Sequence, residues 1–173
     1  MLVLVVGPSG AGKDTLLEGA RRALPEARFV RRVITRPAAA GGEDHDAVTE
    51  AEFSQRAFAL QWEAHGLRYG IPADIVDDLA AGRLVIANVS RGVIAEAVAR
   101  FGARVVEVTA PPEVLAARLA ARGRETAADV AARLARSVPL AEGAIQVMND
   151  GSVEEGVARF VAAVTGAADA LRL

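Results

Sequence analysis

The chain has no cysteine among its 173 residues, which removes disulfides, thiolate metal sites and cysteine nucleophiles together. That suits a reducing compartment, and a cytoplasmic location is expected. Aromatic residues are scarce, with one Trp, one Tyr and five Phe, so a nucleic-acid surface built on stacked bases is not expected. Neither sign of charge dominates. Twenty Lys and Arg against 22 Asp and Glu leave a formal net charge of −2, and nothing draws the chain as a whole toward nucleic acid or an anionic membrane. Long apolar runs are also missing. The opening run LVLVV, residues 2–6, is too short for a signal-peptide core or a membrane span and reads as a buried strand. The length suits one compact domain with a proper core.

Lysine is the scarcest charged residue. Nineteen arginines accompany a single lysine, Lys13, and it stands in GPSGAGKDT, residues 7–15. A β-branched run, a glycine-rich turn and a helix start, in that order, are what a phosphate-binding loop needs. Gly7, Gly10 and Gly12 let the backbone curl so that the N–H groups of Gly7, Pro8, Ser9, Gly10, Ala11 and Gly12, proline excepted, converge on an anion. The new helix adds its positive end. Lys13 supplies a compact ammonium for the β and γ phosphates of a bound ATP. The strict motif has Ser or Thr directly after Lys, whereas here Asp14 comes first and Thr15 second. A carboxylate beside a triphosphate is repelled unless a cation intervenes. Mg²⁺ is therefore expected near Asp14, directly or through water, with the Thr15 hydroxyl on an inner phosphate, and either residue stands as a candidate direct ligand.

Apolar periodicity sets out the remainder of the chain. Helices are expected over residues 14–24, 73–81 and 92–101, through APPEVLAARLAARG and AADVAARLARSV, and over 153–164. Strands are expected at 28–34, 84–89, 104–109 and 145–148. Residues 35–70 break the pattern with Gly and acids, and Thr49 with Glu52 makes a capping box for a short helix through about residue 59. Alternating strands and helices predict an α/β fold with a parallel five-stranded sheet and helices on both faces. The core is expected over about 1–34 and 82–173, an inserted acceptor-binding lobe over about 35–81, and a helical lid over about 122–136. Trp62 reads as a packing anchor, and His45 and His65 as surface residues of polar loops.

Arginines cluster twice. One group gathers about the insert, with Arg31, Arg32, Arg36, Arg68 and Arg91; the other, Arg118, Arg122, Arg124, Arg133 and Arg136, brackets RGRET. Pairs at helical spacing share a face and are mildly repulsive unless an anion lies between them. Two phosphate clamps of this kind suit phosphoryl transfer, which consists mainly of positioning and charge stabilisation.

GPSGAGK, ITRP, EAEF, QWEAHGLRYG, RGRET with ARLAR, and MNDGS together resemble the guanylate kinase family over nearly the whole length. That resemblance implies a P-loop kinase fold in which Arg36 and Tyr69 hold the acceptor's phosphate. The base-reading carboxylates of that family are replaced here by Arg32, Gln61 and the ANVS segment. An arginine of its RPPR motif becomes Ala, and the DYHF element with its phosphate-binding Tyr is missing. A pocket that reads no base and is more cationic resembles the ribose 1,5-bisphosphate phosphokinases of bacterial phosphonate breakdown. The implied substrates are ATP and ribose 1,5-bisphosphate, the implied product 5-phosphoribosyl 1-diphosphate. On this reading Arg32, Arg68 and Arg91 help Arg36 and Tyr69 hold the sugar bisphosphate, and Glu43 or Asp44 binds ribose hydroxyls. Arg122, Arg133 and Arg136 close over the moving phosphoryl group, while Asn149 and Asp150 lie near the adenine or its ribose by analogy of position. A nucleoside monophosphate kinase and a non-catalytic binding module of the same fold are the alternatives.

Overall fold

The computed structural model describes residues 1–37, 44–121 and 143–167. The lid expected over 122–136, with Arg122, Arg133 and Arg136, and Glu43 of the insert lie outside the described residues.

Strand β1 (Leu2–Val6) is buried at every position, as a strand covered on both faces must be. It leads through the glycine loop into α1 (Lys13–Ala23), where the Leu24 N–H closes the helix on the Ala20 carbonyl ahead of Pro25. The run expected as one strand over 28–34 is divided between two sheets. Strand β2 (Arg28–Phe29) pairs with β7 (Val85–Asn88) in parallel, and the Val30 N–H still donates to the Ile86 carbonyl. Two residues later the Arg32 carbonyl accepts from Asp46 instead, and β3 (Val33–Ile34) belongs to the second sheet. An unbroken apolar run cannot reveal such a change of partner, because both partners ask for the same residues.

Most of that second sheet, ordered β4-β3-β6-β5, falls in the insert expected over about 35–81, where no strand was expected. Strand β4 (Asp46–Ala47) runs parallel to β3, and β6 (Leu67–Pro72) is antiparallel to both β3 and β5 (Phe58–Ala64). His65 and Gly66 turn the β5–β6 hairpin with φ of 53° and 72°, the left-handed pair that a two-residue hairpin loop demands. The capping box forms as expected, Thr49 and Glu52 exchanging side-chain and backbone bonds, but its helix α2 (Glu50–Ser54) is shorter than expected. Phe53 of α2 stacks on Phe58 at 4.3 Å and closes a small core with Val33 and Val48.

Helix α3 (Ile75–Ala80) precedes β7; a 3-10 turn, Arg91–Val93, leads into α4 (Ile94–Phe101). Then come β8 (Arg104–Thr109), α5 (Pro112–Ala121), β9 (Ile145–Met148) and α6 (Val153–Thr165), the last opened by a Ser152–Glu155 capping box. The parallel five-stranded sheet has the order β2-β7-β1-β8-β9. Contacts divide the chain into two units, one of Met1–Leu4 and Pro25–Arg104, the other of Val5–Leu24 and the described part of Val105–Leu173. Among the described residues no helix is long and apolar enough to cross a membrane.

Each unit contains a junction that carries a measurable consequence. In the second, Gly19 of α1 faces α6 so closely that an added Cβ would lie 2.3 Å from Val157 Cγ2. Glycine in a helix interior normally costs about 1 kcal/mol against alanine, yet Gly19→Ala is expected to lower the thermal midpoint. Adding Val157→Ala should restore it. A midpoint raised by Gly19→Ala alone would show that the helices have room to spare.

In the first unit Arg28 bonds both Asp74, at 2.7 Å, and Asp78, while Arg83 reaches Asp78 at 2.8 Å. The hydrogen bond from Arg28 holds the Asp78 carboxyl below its usual range, with the charges of Arg28 and Arg83 adding to it. A depressed carboxylate stabilises the fold fully above the ordinary value of about 4 and loses that contribution as pH falls below it. Asp78→Asn should therefore lie below wild type in thermal midpoint at neutral pH, with the gap closing as pH falls from about 5 to about 3.

Candidate active site

The loop after β1 is shaped by backbone that only glycine adopts easily. Gly7 has φ 147°, and a Cβ there would lie 2.0 Å from the Val108 carbonyl oxygen of β8. Gly12, the N-cap of α1, is left-handed at φ 89°, ψ 21° and provides no side-chain cap. Helices α2 and α6 satisfy their first amides with capping boxes; α1 begins at a residue with no side chain to do so, which leaves its first turn to a ligand.

The carbonyls of the loop are engaged from behind. Lys13 Nζ donates to the Gly7 and Pro8 carbonyls at 2.7 and 3.1 Å. Asn149 Nδ2 donates to Ala11 O at 2.8 Å, and Arg118 Nη1 reaches Gly10 O and Ala11 O at 3.3 and 3.5 Å. Arg118 Nη2 also binds the Asn149 carbonyl at 3.0 Å, and the Asn149 N–H binds Thr109 O at 2.8 Å. Asn149 is only 6% exposed. It was expected near the adenine or its ribose; in the structure its amide supports the loop's backbone. Its neighbour Asp150 is turned aside onto α6, where it pairs with Arg159 at 3.0 Å.

A cavity of about 410 Å³ opens beside the loop, lined by Gly10, Gly12, Thr15, Leu16, Arg118, Ala121, Asn149, Gly151 and Val153. Its mixed lining suits a base and sugar next to the phosphates. Asp14 and Thr15 are both exposed in the first turn of α1. A carboxylate and a hydroxyl side by side are hard oxygen donors, and magnesium is commonly held by one or two such groups plus phosphate and water. The pair fits that ion.

The other arginines sort by strand alternation in the first unit. Tyr69 lies opposite Trp62 across β5–β6 and stacks on it, with centroids 5.3 Å apart and planes within 6°. Trp62 is thus a stacking partner at a half-buried position. The Arg32 guanidinium lies 5.5 Å from the Tyr69 ring. Arg68, one residue before Tyr69, points to the opposite face of the sheet. There it lies 4.4 Å over the Phe53 ring and donates to Ser54 Oγ at 3.0 Å, with Glu50 at 3.5 Å. The geometry therefore separates Arg68 from Tyr69, although the sequence placed them side by side for one ligand. Asp44 is exposed and bound by Arg31 at 2.9 Å. Arg91 begins the 3-10 turn after β7 and is half-buried.

Arg36 lies two residues past the end of β3. Its Nε is buried and has no hydrogen-bond partner among the described residues, which for a cationic donor points to an arriving anion. Its companion is His45, which the sequence reading placed on the surface. His45 is 6% exposed, with Nδ1 3.4 Å from Arg36 Nη2 and Nε2 3.1 Å from Arg36 O. The sequence put Arg118 in a phosphate clamp and left His45 out of the site, whereas here Arg118 donates to the loop's own carbonyls. For Arg118 the signal was its place in the second arginine group; for His45 no periodicity or spacing marks a buried imidazole in a polar stretch.

The AAA_33 family, described as an AAA domain, matches residues 2–138. A ribose 1,5-bisphosphate phosphokinase PhnN from Acidiphilium cryptum is 58% identical over 163 residues, covering 92% of this chain and 90% of that protein. A bifunctional ribose 1,5-bisphosphokinase-thymidine phosphorylase from Azorhizobium caulinodans is 51% identical over 184 residues, covering 100% of this chain and 27% of that protein. Among solved structures, guanylate kinase from Anaplasma phagocytophilum aligns with a TM-score of 0.66 at 19% identity, covering 96% of this chain and 85% of the other. That last likeness is one of fold. With a phosphate loop braced from behind and these relatives in hand, the chain belongs to the AAA domain family and, within it, to the ribose 1,5-bisphosphate phosphokinases.

Proposed function

We propose that the chain transfers the γ-phosphoryl group of ATP to ribose 1,5-bisphosphate, giving 5-phosphoribosyl 1-diphosphate and ADP, in the breakdown of phosphonates. An oxygen of the acceptor's 1-phosphate attacks the γ phosphorus, and the bond from that phosphorus to the β,γ-bridging oxygen breaks. The attacking oxygen is already ionised, so no side chain has to act as a base. The chain's task is to hold two polyanions and to stabilise charge on the group in transit.

On the donor side, the amides of the loop and the first turn of α1 receive the phosphates, Lys13 turns its ammonium to the β and γ oxygens, and the cavity beside Asn149 takes the nucleoside. Asp14 and Thr15 would hold Mg²⁺, which when bound neutralises charge on the β and γ oxygens. On the acceptor side, Arg36 offers its fork to one phosphate, while Arg32 and the Tyr69 hydroxyl serve the other. Arg91 is a further candidate there. Arg122, Arg133 and Arg136 are proposed to close over the transferring group, as a lid that excludes water. Arg68 is assigned to bracing α2.

The single observation that carries the acceptor reading is the buried, unpartnered Nε of Arg36. Arg32 beside Tyr69 adds to the positive charge of that sheet. Both features serve charged phosphate oxygens better than a neutral base edge.

The testing experiment is ADP release from ATP and Mg²⁺ with ribose 1,5-bisphosphate, beside GMP, AMP and no acceptor. Turnover is expected with the sugar bisphosphate, and turnover with GMP alone would overturn the reading. Lys13→Ala should lower kcat by about 100-fold or more. Arg36→Ala should raise KM for the sugar bisphosphate by about tenfold or more while leaving KM for ATP in place. Asn149→Ala leaves the Ala11 carbonyl without its amide donor, and the opposite split is expected, a KM for ATP raised about tenfold with the acceptor's KM unchanged.

A further inference from the structure

We infer that His45 is a positioning residue that aims the Arg36 guanidinium at the acceptor phosphate, and that it does so as a neutral imidazole protonated on Nε2. The inference rests on the reading of Arg36 as a phosphate ligand.

The tautomer follows from the two contacts that the ring makes with Arg36. Nε2 is 3.1 Å from the Arg36 carbonyl oxygen, which can only accept, so Nε2 carries the proton. Nδ1 is 3.4 Å from Arg36 Nη2, which can only donate, so Nδ1 presents its lone pair. Both bonds reach the same residue, one at its backbone and one at its head. The ring thereby removes much of the freedom of a long side chain that must otherwise be ordered by the substrate itself.

His45 is held in turn by its surroundings. Arg31 Nη2 donates to the His45 carbonyl at 3.0 Å and binds Asp44 at 2.9 Å. Directly after His45, β4 pairs with β3, the strand that leads to Arg36. Among the described residues, the charged groups on the elements around the ring are Arg31, Arg32 and Arg36 flanking β3, Asp44 and Asp46 on either side of it, and Arg56, which pairs with Asp46.

A second proton on the ring would replace the Nδ1 lone pair with an N–H and set a positive charge against the guanidinium. Arg36 would lose its acceptor and gain a repulsion, so acceptor affinity should fall on acidification. A histidine that touched the phosphate itself would give the opposite sign, because an imidazolium binds an anion better than an imidazole.

The test is steady-state kinetics of wild type, His45→Ala, His45→Asn and Arg36→Ala from about pH 8 to about pH 5.5, with ATP and ribose 1,5-bisphosphate varied separately. His45→Ala should raise the acceptor's KM about tenfold and leave that of ATP unchanged. Asn places an amide oxygen near the Nδ1 position and accepts from the guanidinium at every pH, so it should recover most of the loss at pH 8. Its profile reports the titration of the acceptor phosphates alone; the acceptor's KM of wild type should rise more steeply on acidification than that of His45→Asn. Superimposable wild-type and Asn profiles, or a wild-type affinity that strengthens in acid relative to Asn, would overturn the inference with Arg36 still a ligand. An acceptor KM untouched by Arg36→Ala would instead remove the reading beneath it. The comparison of wild type with Asn carries the test should the Ala variant fail to fold.

Discussion

A backbone that turns its amides toward an anion must turn its carbonyls away from it, and those carbonyls need partners of their own. Asn149 and Arg118 meet that constraint. Asn149 donates to Ala11 and Arg118 to Gly10 and Ala11, from the end of β9 and from α5. Glycine gives the loop freedom to curl, and these two side chains turn that freedom into one shape. An arrangement held before the nucleotide arrives costs no reorganisation during transfer, which is where preorganised dipoles are most effective. The close pass of Gly12, whose Cβ would lie 2.5 Å from Asn149 Nδ2, belongs to the same arrangement.

The second sheet is governed by a simpler rule, that neighbouring strand residues face opposite ways. Tyr69 and Trp62 stack on one face, and Arg68 on the other covers Phe53. Gly70 falls on the Arg68 side, where a Cβ would lie 2.3 Å from the Phe58 ring, so the packing that seats α2 also excludes a side chain there. The strand thus separates a cation used for packing from the ring of Tyr69 on the other face.

How far the sequence could be read follows from how local each signal is. Strands β8 and β9 occupy the expected 104–109 and 145–148, because a buried parallel strand is a short apolar run with clear ends. The loop was legible for the same reason: its glycines and Lys13 are contiguous. Strand pairing is not local. Val30 and Val33 look alike in sequence, yet the first is held by Ile86 and the second by Gly70 across another sheet. The hairpin is hard to read although His65 and Gly66 make a two-residue turn, since Asn-Gly or Asp-Gly is the usual signal for one. His45 was misplaced because its burial depends on Arg36, nine positions back, and on β4 pairing with β3.

Arginine content makes the same point in energetic terms. Counting cations along the chain finds clusters, but a guanidinium already bound to a carboxylate or a carbonyl has fewer donors to offer. Arg28 is engaged by Asp74 and Asp78, Arg56 by Asp46, Arg100 by Glu96 and the Ala59 carbonyl, and Arg159 by Asp150 and the Met148 carbonyl. These are struts, and the near-neutral net charge reflects them. Arg36 differs because its Nε is buried without a partner among the described residues. An unsatisfied buried donor costs about 1 to 3 kcal/mol, more when charged. A phosphate oxygen bonded to that Nε would remove the cost on binding. A neutral base edge would recover less, since a charged acceptor makes the stronger bond. A preference for a phosphorylated acceptor over a neutral one is then what an unspent donor on Arg36 would favour.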